Sequence, residues 1–153
     1  MITGLKFEQL FIGRLPNAEM YEKSYMHRDT IGHIKITKTE FIITGSADGH
    51  VKFWKKQPEG IEFVKHYRAH LGPIVGMSVS TDGLLLCTVS ADQSIKVFDI
   101  INFDMINMFK LPYTPATCEW IHKSGAAKPV IAVYVLNSCA QKVGLPNYYL
   151  MQF

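Results

Sequence analysis

The sequence predicts an all-β protein built from repeated four-stranded sheet units, and three observations carry that expectation. A nine-residue pattern occurs twice, with Asp48 and Asp92 at equivalent places 44 residues apart. Turn residues arrive about every 8 to 12 residues, and neither copy offers an apolar stripe at 3.6 spacing over ten or more residues.

The two copies read Ser46-Ala47-Asp48-Gly49-His50-Val51-Lys52-Phe53-Trp54 and Ser90-Ala91-Asp92-Gln93-Ser94-Ile95-Lys96-Val97-Phe98. Each runs from a small residue through a turn Asp and a polar spacer into an apolar, Lys, apolar, aromatic strand. Upstream, His27 matches His70 and Ile31 matches Ile74 at an offset of 43, so one extra residue enters between the copies. It falls in the turn Thr81-Asp82-Gly83, where a length change is tolerated.

The first unit predicts strands at Ile31 to Thr37, Phe41 to Gly45, Val51 to Lys55 and Ile61 to His66. The second predicts them at Ile74 to Ser80, Leu84 to Val89, Ile95 to Asp99 and Met105 to Leu111. All are rich in β-branched and aromatic residues and are bounded by Gly, Asp, Asn or Pro turns. A third unit begins at Thr117 to Ile121, turns at Ser124-Gly125 and continues as Val130 to Val135. After that the pattern is lost, and the tail from Gln141 to Phe153 reads as a foreign or truncated end in preference to a divergent third unit.

The chain has 153 residues, room for one domain with a sizeable core. Its 48% hydrophobic and 19% charged composition excludes disorder as the main state. A net charge of +3 is too mild to be a nucleic-acid footprint. Cys87, Cys118 and Cys139 are odd in number, widely spaced and without Cys-x-x-Cys, which argues against a secreted disulfide framework or zinc knuckle and for a reducing intracellular compartment. Met1 to Arg14 carries Lys6, Glu8 and Arg14, unlike a signal peptide. The apolar run Val130 to Leu136 is far short of the roughly 20 residues of a membrane span. Pro129 to Leu136 reads as a core strand more readily than as a docking one.

A four-stranded unit of this length, with His before its first strand and Asp then Trp around its third, resembles a blade of a WD40 β-propeller, and the resemblance covers about residues 20 to 113. It implies an incomplete propeller: two clear blades, part of a third, and an N-terminal closing strand at Met20 to Tyr25. The segments are then 1–19 as an N-terminal piece, 20–121 as blades (repeats at about 25–66 and 68–111, a third starting at 114–121), and 122–153 as a divergent or truncated third blade and tail. Within a blade, His27, a strand hydroxyl, Asp48 and Trp54 can form one hydrogen-bonded chain. Thr44 and Ser46 lie on one side of their strand, so either can be the link. The second unit supplies His70, Thr88 or Ser90, and Asp92. Phe98 has no N–H to donate, so this second blade is expected to be the looser one.

A more specific likeness lies in Met20-Tyr21-Glu22-Lys23-Ser24-Tyr25-Met26-His27-Arg28-Asp29, Asp48 to Lys56, Gly60 to His66 and Phe103 to Met108. Together these resemble the peptidyl-prolyl isomerase family that joins WD repeats to a C-terminal cyclophilin domain. The resemblance implies a nuclear protein associated with the spliceosome and pre-mRNA splicing. No segment of this chain resembles the cyclophilin barrel, so the expected function is a non-catalytic protein-interaction scaffold. The alternative is that the chain is the N-terminal part of such an isomerase.

The residues themselves offer little chemistry. His27, His33, His50, His66, His70 and His122 show no metal-ligand spacing, and Asp48 and Asp92 read as turn residues in separate blades. No cofactor, metal, small-molecule substrate or membrane is expected. Lys52, Lys55, Lys56, Lys65, Arg68 and Lys96 offer an RNA-contacting rim, although charged strand edges that discourage edge pairing are the stronger reading. Partner contact is expected in the loops at Arg28 to Thr30 (including Asp29), at His50, at Leu71, Gly72 and Pro73, and at Gln93.

Overall fold

The computed structural model describes residues 26–121, 129–135 and 148–152; the expected closing strand Met20 to Tyr25, the turn Ser124-Gly125, His122 and Cys139 lie outside them. Among the described residues there are strands and turns and no helix. The first sheet holds β1 (Ile31–Ile36), β2 (Phe41–Ser46), β3 (His50–Lys56) and β4 (Ile61–Arg68) in the order β1-β2-β3-β4. The second holds β5 (Ile74–Val79), β6 (Leu85–Ser90), β7 (Ser94–Asp99) and β8 (Asp104–Lys110) in the equivalent order. Every predicted strand of these two blades is present, with ends within two residues of the expected ones.

The third sheet contains β9 (Pro115–Trp120), β10 (Val130–Val135) and β11 (Tyr148–Gln152). Here the sequence expectation needs correcting. Ile131 pairs with Met151 and Val133 with Tyr149, so the tail supplies a third blade strand. No Ser-x-Asp turn leads into this strand, and its partner is distant along the chain, so local turn chemistry does not announce it.

The sheets pack face to face through their inner strands, β1 beside β5 and β5 beside β9. The resulting fold is an incomplete WD40 β-propeller. Alternation decides which face each residue serves. Ile43, Val51 and Phe53 of the first blade meet Met77, Leu86 and Phe98 of the second. Cys87, Val89, Ile95 and Val97 on the opposite face of the second blade meet Cys118, Trp120, Ile131 and Val133 of the third. Full burial of one such side chain contributes about 1.5–3 kcal/mol, so these inter-blade layers hold the blades together.

Two glycines carry geometric requirements. Gly49 turns with φ 82°, and a Cβ there would lie 2.4 Å from the His70 carbonyl oxygen. At Gly76 an added Cβ would lie 2.8 Å from both Thr117 Cα and Val89 Cγ2, so the close approach of β5 and β9 needs the missing side chain. Polar bonds stitch the same seams. His33 Nε2 lies 3.1 Å from the Ile74 carbonyl oxygen, Tyr67 donates its hydroxyl to the Phe103 carbonyl, and Trp120 Nε1 donates to the Ser78 carbonyl at 3.1 Å.

Candidate functional site

The polar residues singled out by the repeat gather at one end of each blade, where the segment entering β1 or β5 meets the turn before β3 or β7. In the first blade Thr44 Oγ1 lies 2.8 Å from His27 Nε2 and accepts a hydrogen bond from Trp54 Nε1 at 2.9 Å. Ser46 donates instead to Asp48. The expected single chain is therefore two separate pieces, His27-Thr44-Trp54 and Ser46-Asp48. His50 stands where a bridging hydroxyl would be needed, and its ring is turned outward onto His66, with centroids 4.7 Å apart. His27 Nδ1 is buried without a partner among the described residues.

The second blade closes the circuit. Ser94, the equivalent of His50, has its Oγ 2.8 Å from His70 Nδ1 and donates to Asp92 Oδ1 at 2.5 Å. With its proton on Asp92, the Ser94 oxygen accepts from Nδ1–H, and Thr88 Oγ1 donates to His70 Nε2 at 2.8 Å. Thr88 is thus the strand link, while Ser90 Oγ accepts from the Asp92 backbone N–H at 3.2 Å. Asp92 also takes the backbone N–H of Leu71 and of Ser94, at 2.8 and 2.9 Å.

The geometry runs against the expectation of a looser second blade, because its polar network is the more fully connected of the two. Phe98 donates nothing but is 1% exposed, packed at 5.1 Å from Tyr67 and 6.5 Å from Phe53 of the first blade. The first blade covers this face, whereas Trp54 is only half-buried. The register is the same in both sheets, since Val79, Leu86, Phe98 and Met105 form the row equivalent to Ile36, Ile42, Trp54 and Phe63; the difference is that no other described blade covers the first row, where Ile36 is 72% and Phe63 53% exposed.

Electrostatics follow burial. Burial lowers the His70 pKa to about 4, Lys96 adding to the effect and Asp92 opposing it, so the imidazole is neutral at pH 7. Burial pushes the Asp92 carboxyl up, but the Ser94 hydroxyl and the Leu71 and Ser94 amides outweigh it and hold the pKa at about 2. Asp48 is likewise lowered, burial being outweighed by Ser46 and the His50 amide. Burial and then Lys52 lower His27; burial and then His50 lower His66. Among the described residues no three His, Cys, Asp or Glu side chains gather into a metal site.

The expected contact loops are placed as follows. Arg28, Asp29 and Thr30 are exposed, with Asp29 Oδ1 accepting from the Thr30 N–H at 2.7 Å. Leu71 is 88% exposed; Gly72, Gln93 and His50 are half-buried, and Gln93 adopts φ 66° at the place of Gly49. Beside Leu71 a cavity of about 400 Å³ opens between the end of β4 and the β7–β8 face. Ser94 was missing from the sequence-level site. The signal for it is a hydroxyl two residues after a turn Asp, the spacing of a local side-chain-to-backbone bond.

Fold, networks and sequence comparison agree on a class. The WD domain, G-beta repeat family matches residues 26–55, which hold β1 to β3, and 61–99, which hold β4 to β7, so the chain is a WD-repeat protein. Over most of its length it is similar to the WD-repeat part of WD-repeat-containing peptidyl-prolyl isomerases. It is 59% identical over 84% of its length to "Peptidylprolyl isomerase domain and WD repeat-containing protein 1" of Homo sapiens, covering 20% of that protein. Against "Peptidyl-prolyl cis-trans isomerase CYP71" of Arabidopsis thaliana it is 55% identical over 84% of its length, covering 20% of that protein. A more distant relative, "mRNA export factor" of Macaca fascicularis, is 30% identical over 53% of the chain and covered to 22%. The chain thus spans about a fifth of the length of the isomerase relatives it matches.

Proposed function

We propose that this chain acts as a non-catalytic protein-interaction scaffold associated with the pre-mRNA splicing machinery of the nucleus. The observation that carries the reading is how the site's polar groups are used. His70, Thr88, Ser94 and Asp92 bond to one another, and the histidine is 2% exposed, so they hold the blade and present no free base or nucleophile. The surface beside them at Leu71 and Pro73 is exposed and open to a partner. Likeness to the WD-repeat isomerase family supports the splicing association, and the more distant relative named as an mRNA export factor is in keeping with it.

A tagged chain incubated in nuclear extract is expected to retain splicing proteins after RNase treatment. Retention that vanishes with RNase would replace the protein scaffold by direct RNA binding, which should also steepen on an RNA column as salt falls. The second reading, part of a peptidyl-prolyl isomerase, is favoured by the relatives' names. The 153-residue chain is expected to leave proline isomerisation at its uncatalysed rate, and cyclosporin-sensitive acceleration would defeat the non-catalytic reading.

A further inference from the structure

We infer that the crevice between the end of β4 and the β7–β8 face of the second blade binds an extended peptide in which a bulky apolar side chain is flanked by Asp or Glu. The inference rests on the scaffold reading and gives it a site and a partner chemistry.

Comparison of the blades shows why the crevice exists. Lys52 pairs with His66 and His50 with Arg68 across β3 and β4, as Lys96 pairs with Met108 and Ser94 with Lys110 across β7 and β8. In the first blade the His50 and His66 rings stack over this place, and Lys52 Nζ donates to the Met26 carbonyl at 2.5 Å. In the second, Ser94 is drawn inward to His70 and Asp92, and Met108 takes the place of the histidine. The result is the cavity of about 400 Å³, lined by Arg68, Leu71, Lys96, Met108, Phe109 and Lys110 among others.

Its apolar and charged parts match such a peptide. Leu71 and Met108 are 88% and 59% exposed, an apolar pair that no described residue covers. Arg68, Lys96 and Lys110 form no ion pair among the described residues, in contrast to the tethered Lys52. Asp92, the one carboxylate of the lining, has Oδ1 taken up by Ser94 in its own turn and Oδ2 by the Leu71 N–H of the β4–β5 connection. An apolar floor ringed by three cations without an ion pair among the described residues favours an apolar side chain with adjacent carboxylates. A nucleic acid is the weaker fit, because base stacking needs an open aromatic face and Phe109 is half-buried.

The test selects a phage-displayed library of random dodecapeptides on the 153-residue chain and titrates the enriched peptide, fluorescein-labelled, by anisotropy. Enriched sequences are expected to place Leu, Met or Phe beside Asp or Glu. The double variant Lys96→Glu/Lys110→Glu should weaken binding at least about tenfold, and Lys55→Glu/Lys56→Glu, at exposed cations outside the crevice, by less than about twofold. Met108→Trp fills the cavity without changing charge and should also weaken binding about tenfold, so the result does not hang on one variant. No enrichment, no acidic bias, equal loss in both charge variants, or displacement of the peptide by decauridine RNA at lower concentration than by unlabelled peptide would overturn the inference. Splicing proteins retained equally by the wild type and by Lys96→Glu/Lys110→Glu would remove the crevice and leave the scaffold. Peptide binding without any such retention would do the reverse.

Discussion

The Ser94 hydroxyl oxygen lies 2.8 Å from Nδ1 of His70, a ring that is 2% exposed, and so satisfies the side of the imidazole that in its counterpart His27 has no partner among the described residues. Removing that hydroxyl orphans a buried N–H. Ser94→Ala is expected to lower stability by about 1–3 kcal/mol, read as a fall in urea midpoint at unchanged slope, and Ser94→Thr should recover part of the loss. A midpoint equal to wild type would show that Asp92 alone satisfies His70.

The second network also sets a pH dependence. His70 titrates at about 4 when folded, below its ordinary value of 6.5, so the unfolded chain binds the extra proton between those values. Its contribution is therefore complete above pH 6.5 and is lost as pH falls toward 4, on the order of 3 kcal/mol at the full shift. Asp92, at about 2 against 3.8, adds a further loss as pH drops through that lower window. Urea midpoints measured from pH 7 to 4 should fall for wild type and flatten for His70→Gln; parallel curves would contradict this assignment.

The two aromatic equivalents should respond oppositely to what hydrogen bonding alone suggests. Phe98→Ala empties a site covered by the first blade and is expected to cost about 3–5 kcal/mol. Trp54→Phe removes one hydrogen bond from a half-buried ring and should cost about 1 kcal/mol. Thermal melts of the two variants rank them directly, and a larger effect at Trp54 would reverse the account of which blade is better held.

Gly76→Val should prise apart the second and third blades, because its Cβ alone would stand 2.8 Å from Thr117 Cα. A loss of about 1–3 kcal/mol is expected. The more specific readout is thiol chemistry. Cys87 and Cys118 are buried on the two sides of this seam, with Cys118 Sγ 3.9 Å from the Cys87 carbonyl oxygen. Both should react with Ellman's reagent faster in the variant than in wild type, and an unchanged rate would mean the seam absorbs the side chain.

Strand positions and the blade repeat were legible in the residue order because alternation, turn Asp and left-handed turn glycine act over a few neighbours. Thr44 and Ser46 alternate onto one side of β2, and nothing local could tell which one meets His27. That choice belongs to long-range geometry, as does the role of Ser94, whose partner His70 is 24 residues away. The strand Tyr148–Gln152 was hidden for the same reason, since its pairing with β10 is not announced by a turn signal. Tertiary packing alone made Phe98 the better-buried aromatic, because the neighbouring blade covers one face of the second sheet. It also opened the crevice at Met108, where an inward Ser94 leaves the space that a stacked histidine pair fills one blade earlier.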